Sequence, residues 1–576
     1  MNIVDRATRC FDFLRERLGE SRFYPSALGV LVLAGLLPLL MPGLPNGHDL
    51  YYHLSRLYAM DVNISLGEFP SMINHEALVG YGYATGLFYP DLFLYPAVML
   101  MKCGMGIVAA YKCLIAAGVF AIAFSAYFCA RRLSASSFGA FVTATLYTLS
   151  SYLATDLFVR QAFGEFCFFA FMPWIILGFY ETVMGDPRKF AYLSFGFAGL
   201  ACAHSLSLFM ASVICAVFVV FNALRLLREP RRIFWLALSP IPAILVGVAF
   251  LAPMFEQFSH LHFIIEGEKN ANILLRCMPF LKLVLEIPTS KAAEWIPPGI
   301  GTMLLIVALQ RFRLPALERK PVELFRDMLL IAGLCCLLMS TDMPSWKGAF
   351  KFLSVVQFPW RFFGPATAFL AFGGGLVLAA LVGRDHARER YWTWLVICGA
   401  AFAWFVNVGY FYAARISEHD IMREYRPGRP QEASGIHYLI RGGILDDAIR
   451  KRGDVVTPSS PVDVTLSRPQ VDVVQLNFSG NVADNDVELP IVPYYGYAAQ
   501  LMLPDGMEKP LTVGLGPNKL LSVRIPGTCS SGVIRISYQA TLLQRISQVV
   551  SFVSAIVFLV LWAMLRRRRR LVESGG

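Results

Sequence analysis

The sequence predicts an α-helical polytopic membrane protein of about twelve transmembrane helices, with a β-sandwich-like domain outside the membrane near its C-terminus. Three observations predict it. Hydrophobic residues make up 56% of the 576 residues and charged residues only 16%, with a mean hydropathy of +0.54, whereas soluble chains carry about 25% charge. The net charge of +11 sits in short basic clusters between apolar stretches, a positive-inside pattern rather than a nucleic-acid footprint. Between residues 412 and 545 the apolar residues alternate as they do in strands. The aromatic content of 13% excludes a disordered chain. The 12 cysteines show no CxxC or Cys/His ligand spacing and read as small buried hydrophobes.

Residues 1–25 carry Arg6, Arg9, Arg15, Arg17 and Arg22 and are expected in the cytoplasm. The apolar run 26–44 ends in MPGLPNG rather than a small-residue cleavage site, so it reads as an uncleaved first span. Further basic clusters lie at 131–132, 188–189, 225–232, 311–326, 384–390 and 566–570. All face the cytoplasm only if one apolar stretch fails to cross. Tyr89 to Met105 is the candidate: it is short and opens YPDLFLYP. The remaining spans fall near 107–130, 137–154, 165–184, 189–204, 206–226, 233–253, 299–311, 327–341, 362–383, 391–411 and 546–565. The transmembrane domain covers 26–411, with a first outer loop at 45–106 and further outer segments at 154–165, 254–298 and 341–361. The outer domain, 412–545, alternates in VDVVQLNF, KLLSVRIP and GVIRISY, with turn signals in ADND, LPDG and LGPN. The last span and a basic tail, 546–576, return the C-terminus to the cytoplasm.

Ionisable residues near a bilayer are functional candidates, and here they gather on the outer side. The first loop opens with Asn46, His48, Asp49, His53 and Arg56. Asp49 fits a general base for a hydroxyl, and equally a helix N-cap. His48, Asp49 and His53 offer metal-ligand chemistry at irregular spacing that defines no site, so a divalent metal ion stays open. The second loop carries Asp156, Arg160 and Glu165; Asp156 and Arg160 fit a helical ion pair, and Arg160 also fits a phosphate contact. His204 lies between two apolar runs, where a structural role and a binding role both fit, and Glu256 ends a span. Gln357 and Arg361 precede the tenth span; an arginine there either snorkels to a headgroup or holds a phosphate. MREYRPGRP (422–430) opens the outer domain.

Ordered pieces carry a resemblance: GHDLYYHLSRLYAMDVNISLGEFP, GYGYATGLFYPDLFLYP, YLATDLFVRQAFGEFCFFAFMPW, LACAHSLSL, LAPMFEQ, QFPWRFFG and EYRP. With these the chain resembles the GT-C class of integral-membrane glycosyltransferases. It looks most like the bacterial membrane proteins labelled 6-pyruvoyl-tetrahydropterin-synthase-related, relatives of cell-envelope polymer glycosylation proteins. Nothing in the chain resembles the three-histidine zinc site of a true pterin synthase. The resemblance implies a polyprenyl-phosphate sugar donor, an envelope glycan or lipid-linked acceptor, and an active face outside the inner or plasma membrane. It implies Asp49 as base, Asp156 or Glu165 as the second acid, and Arg160 and Arg361 as phosphate partners. Class members often pair acids in the first loop; here His48 and Leu50 flank Asp49. A transporter of polyprenyl-linked sugar or lipid, and a non-catalytic envelope assembly protein, are the alternatives.

Overall fold

The structure is a computed structural model that describes residues 3–267, 273–279, 283, 300–315, 320–413, 415–425, 436–444, 446–502 and 507–574. The predicted LPDG turn (503–506), the RPGRP stretch (426–430) and much of the outer segment beyond residue 267 lie outside the described residues.

Among the described residues, six helices have the length and apolarity to cross a membrane: Glu20–Leu40, Ile107–Ser134, Phe163–Val183, Pro230–His260, Pro359–Val382 and Leu542–Met564. The chain is therefore a membrane protein. Twelve full-length spans are not what the helices show. Ser137–Thr148 and Ala191–Ala201 occupy predicted spans, yet at 1.5 Å per residue they rise only about 18 and 17 Å. The hydrocarbon core is about 30 Å thick. Leu92–Lys102, within the stretch expected not to cross, is equally short. Its Lys102 is paired with Asp61 of the first-loop helix Leu50–Ser65 at 2.8 Å.

Phe163–Val183 and Phe363–Val382 are apolar on every side and buried on nearly every side, so they form the centre of the bundle. Small residues let the helices around them approach. A Cβ at Gly375 would lie 1.9 Å from the Thr143 hydroxyl, so Phe363–Val382 and Ser137–Thr148 meet almost backbone to backbone. Lipid-facing positions show the opposite pattern: Phe552, Val553, Leu559 and Leu561 of the last helix are all exposed. The basic N-terminal segment meets the 384–390 cluster, with Arg15 on Glu389 at 2.8 Å and Arg390 on Asp12 at 2.7 Å.

The C-terminal domain is two antiparallel sheets. One runs Thr457–Pro458, Asn485–Glu488, Leu521–Ile525, Val513–Leu515; the other Asp463–Gln470, Val473–Ser479, Ser531–Tyr538, Tyr497–Met502, Glu508–Leu511. Leu476, Phe478, Ile534 and Ile536 of the second sheet pack against Val487, Val523 and Ile525 of the first. This is the alternation read from the sequence, with one face of each sheet inward.

The domain is held on the bundle at three places. Tyr81, Tyr83, Leu87 and Phe88 of the first loop share an apolar core with Leu439, Val492, Tyr494 and Leu520. The side chain of Gln257 donates to the Tyr495 carbonyl at 2.7 Å and accepts from the Tyr495 amide at 2.9 Å. Glu256 accepts from the Thr541 hydroxyl and from the Gln544 amide, each at 2.9 Å, where the last helix begins. Gln257→Leu would leave the Tyr495 amide unpaired and its carbonyl with the Tyr538 hydroxyl alone, at 3.3 Å, at a cost of about 1–3 kcal/mol. Faster proteolytic release of the β-domain, with the bundle intact, is the expected result of limited digestion in detergent.

Candidate functional site

Four residues after Gly43 the first loop is laced to the second through the backbone. The His48 amide donates to the Val159 carbonyl at 3.3 Å, and the Asp49 amide to the Arg160 carbonyl at 2.9 Å. The approach is close enough to require glycine at 47, where a Cβ would lie 2.1 Å from Gln161 Cγ and 3.2 Å from the Arg160 carbonyl carbon. The second loop is shaped to match. After the short helix Ser151–Thr155 the chain widens into a π turn over Asp156–Arg160, a form that recurs at functional sites. Gln161 then adopts a left-handed conformation, φ 56°, unusual for a residue with a side chain. The Tyr111 hydroxyl holds it there, donating to Gln161 Oε1 at 3.0 Å.

This geometry gathers the predicted charges. Arg160 binds both oxygens of Glu165, at 2.7 and 2.6 Å, and Asp156 at 2.8 Å. Arg361 donates from Nε to Glu165 at 2.8 Å. Its Nη1 donates to the Val356 carbonyl at 2.7 Å and to Gln357 Oε1 at 3.1 Å. The Tyr152 hydroxyl donates to Glu165 at 2.6 Å. Asp156, Arg160 and Glu165 are buried. Arg361 Nη2 donates to no described residue. Burial, reinforced by the Glu165 charge, pushes the Asp156 carboxyl well above the usual range, and its Oδ2 has no hydrogen-bond partner.

Asp49 stands at the N-cap position of Leu50–Ser65, but its side chain makes no capping bond. Among the described residues its carboxylate has no hydrogen-bond or ion-pair partner, and it is open to solvent. Protein surrounds it on most sides all the same. Burial raises its pKa, Arg160 and Arg361 pull it down, and Glu165 pushes it up; the net shift is upward. His48, beside it, is lowered to about 4 by burial and by Arg160, so its imidazole is neutral near pH 7.

The other predicted residues divide. His204 joins the site: its ring packs 5.5 Å from Tyr89 and its Nδ1 lies 2.8 Å from the Ser207 hydroxyl. It lines a pocket with Tyr152, Glu165 and Arg361 at the polar end and Phe168, Leu206, Met210 and Pro365 as apolar walls. His53 is buried, and its Nε2 accepts the Phe163 amide at 3.3 Å, a donor at a helix start that it shares with the Gln161 carbonyl at 3.0 Å. That bond withdraws it from a ligand set with His48 and Asp49. Glu256 is not at the site; it ties the last helix, as described above. Among the described residues the grouping with metal-ligand spacing is Glu20, His386 and Glu389. Arg15 already occupies its centre, 2.8 Å from Glu389 and 2.9 Å from His386 Nδ1.

Sequence reasoning missed Tyr152, Gln161, Ser207 and Asp91, the partner of Arg56 at 2.9 Å in a pair roofed by Tyr89 at 4.3 Å. Charge inside an apolar stretch was a signal for Asp91; nothing local marked Gln161.

No family model and no curated protein matches the chain. Among solved structures it is similar to arabinosyltransferase EmbB from Mycobacterium smegmatis, at 10% identity and a TM-score of 0.35, over 90% of this chain and 63% of that one. The chain thus spans less than two thirds of that protein's length. At this TM-score the backbones differ too much for any residue or activity to pass from one to the other.

Gly47→Ala is expected to destabilise the protein by about 1–3 kcal/mol through overpacking against Gln161. Adding Gln161→Gly, which removes that side chain and suits a positive φ, should recover part of the loss. Thermal unfolding of the four members of the cycle in detergent checks the coupling.

Proposed function

We propose that the chain is a membrane glycosyltransferase. It transfers a sugar from a polyprenyl-phosphate donor to a cell-envelope acceptor on the extracytoplasmic face, with both termini in the cytoplasm. One observation carries this reading: an open carboxylate, Asp49, with no partner among the described residues, is joined by a backbone hydrogen bond to a buried arginine cluster that keeps one guanidinium edge free of them.

The chemistry follows from those groups. The acceptor hydroxyl gives its proton to an Asp49 oxygen as its own oxygen bonds to the anomeric carbon. The bond from that carbon to the donor phosphate breaks, and the electron pair leaves with the phosphate. The developing anion is met by the unspent Nη2 of Arg361. Arg160 is spent on Glu165 and Asp156, so its part is to hold the cluster. Two arginines meet the one Glu165 carboxylate, and burial shifts Asp156 towards its neutral form, so the cluster leans cationic, which suits an anionic phosphate. The apolar walls of the pocket fit the chain of a lipid carrier. A single displacement inverts the anomeric centre.

The test is sugar transfer in membranes from labelled polyprenyl-phosphate sugars to envelope material, at matched expression. Asp49→Asn should lower transfer about 10²–10⁴-fold, the range for losing a general base. Unchanged transfer would return Asp49 to a structural role and leave assembly functions. Arg361→Ala should raise the KM for donor. The pH profile has a defined sign. Only ionised Asp49 accepts a proton, and its pKa is raised. Activity should therefore fall, as pH drops, at a pH above the ordinary aspartate value of about 3.9.

A further inference from the structure

We infer that the helix Ile3–Leu18 docks on a bilayer surface rich in anionic lipid headgroups. The helix has two distinct faces. Positions 8, 11, 12 and 15, spaced i, i+3, i+4 and i+7, turn towards the protein. Phe11 is buried with its ring 5.0 Å from Phe23 and 6.2 Å from Trp394. Asp12 and Arg15 take the ion pairs to Arg390 and Glu389.

The rest of the helix carries apolar surface that stays exposed among the described residues. Phe13, Leu14 and Leu18 are 57%, 42% and 42% exposed. At 3.6 residues per turn they share an arc of about 140° with Arg6, Cys10 and Arg17. That arc holds no acidic residue; Asp12 and Glu16 fall outside it. Large apolar side chains interleaved with arginines are the composition of a helix lying in a membrane interface. The Arg17 guanidinium already lies over the Phe13 ring at 5.7 Å. The ring is thus placed to reach the acyl boundary while the cation stays at headgroup level.

Continuity with the membrane places the bilayer beside this arc. Gly19, at φ 69°, ends the helix and turns the chain straight into the membrane span Glu20–Leu40. The headgroup layer therefore begins within a turn of Leu18. Charge selects the lipid. Arg384 and Arg388 are exposed at the start of His386–Ala413, the helix whose Glu389 holds Arg15; Arg388 is also paired with Asp385 at 3.0 Å. Each cation held at a membrane surface of anionic lipid contributes about 1 kcal/mol.

Cys10 is a native reporter, exposed and within the arc. Full-length protein would be placed in nanodiscs of phosphatidylcholine alone, and of phosphatidylcholine mixed with phosphatidylglycerol. A water-soluble maleimide is added, and Cys10 labelling is followed by peptide mass. Labelling several-fold slower in the phosphatidylglycerol discs, restored to the phosphatidylcholine rate by Arg6→Glu with Arg17→Glu, is the expected result. Equal rates in the two lipids would overturn the inference, as would slow labelling that survives the double substitution. Slow labelling in both lipids that speeds up on dilution in detergent would assign the face to a second copy of the chain and also overturn it. No outcome depends on sugar transfer.

Discussion

The Glu165 carboxylate is the interaction on which the rest of the site depends. It stands in the first turn of a central helix, buried, with two guanidiniums and a phenol donating to it. An ionised carboxylate in such a place is tolerable only when paired, and removing one partner of a buried pair typically costs about 3–5 kcal/mol. The two arginines come from different parts of the chain. Arg160 ends the π turn, and Arg361 precedes the helix Phe363–Val382. One carboxylate thus fixes the second loop against a distant helix, and the Arg160 carbonyl then fixes the first loop through the Asp49 amide.

What was legible in the sequence was whatever local pattern could encode. Strand alternation marked the β-domain because each sheet has one wet face. Charges in apolar surroundings marked Asp49, Asp156, Arg160, Glu165 and Arg361 because a bilayer protein seldom keeps such residues without a use. What was not legible were partners far apart in the chain. Arg361 meets Glu165 across 196 residues, and Thr541 meets Glu256 across 285. Glu256 looked like the other carboxylates in composition and position; only its partners show that it fastens the β-domain. His53 looked like a ligand because it sits one helical turn from Asp49, and the fold gives it to a backbone amide instead. The count of twelve spans is not confirmed by the described helices, for a related reason. Apolarity marks burial against protein as readily as against lipid, and short helices such as Ala191–Ala201 bury much of their surface inside the bundle.

Two kinds of rigidity meet at the site. The arginine cluster is closed: most of its donors and acceptors are matched, and its charges are fixed from several elements at once. Asp49 is the reverse. Its backbone is pinned, but its carboxylate is left without a partner. A base must keep a lone pair free, and a direct ion pair with Arg160 or Arg361 would both occupy that lone pair and lower the pKa below useful basicity.

The position of Glu165 resolves that conflict. A site that stabilises a leaving anion needs arginines close to the reacting atoms, and the same arginines acidify any carboxylate near them. Both effects act on Asp49, where the two arginines pull the pKa down and Glu165 pushes it up. Glu165 opposes the pull of the arginines on Asp49, and burial, the largest influence, raises the pKa. The edge of Arg361 that Glu165 does not reach keeps its full capacity to donate. On the proposed reading, one buried carboxylate both tempers the arginines' pull on Asp49 and leaves the Nη2 edge of Arg361 for a phosphate. A neutral residue at 165 would return the full charge of both arginines to Asp49. On the proposed reading, the base would then be depressed by the groups that help the leaving phosphate.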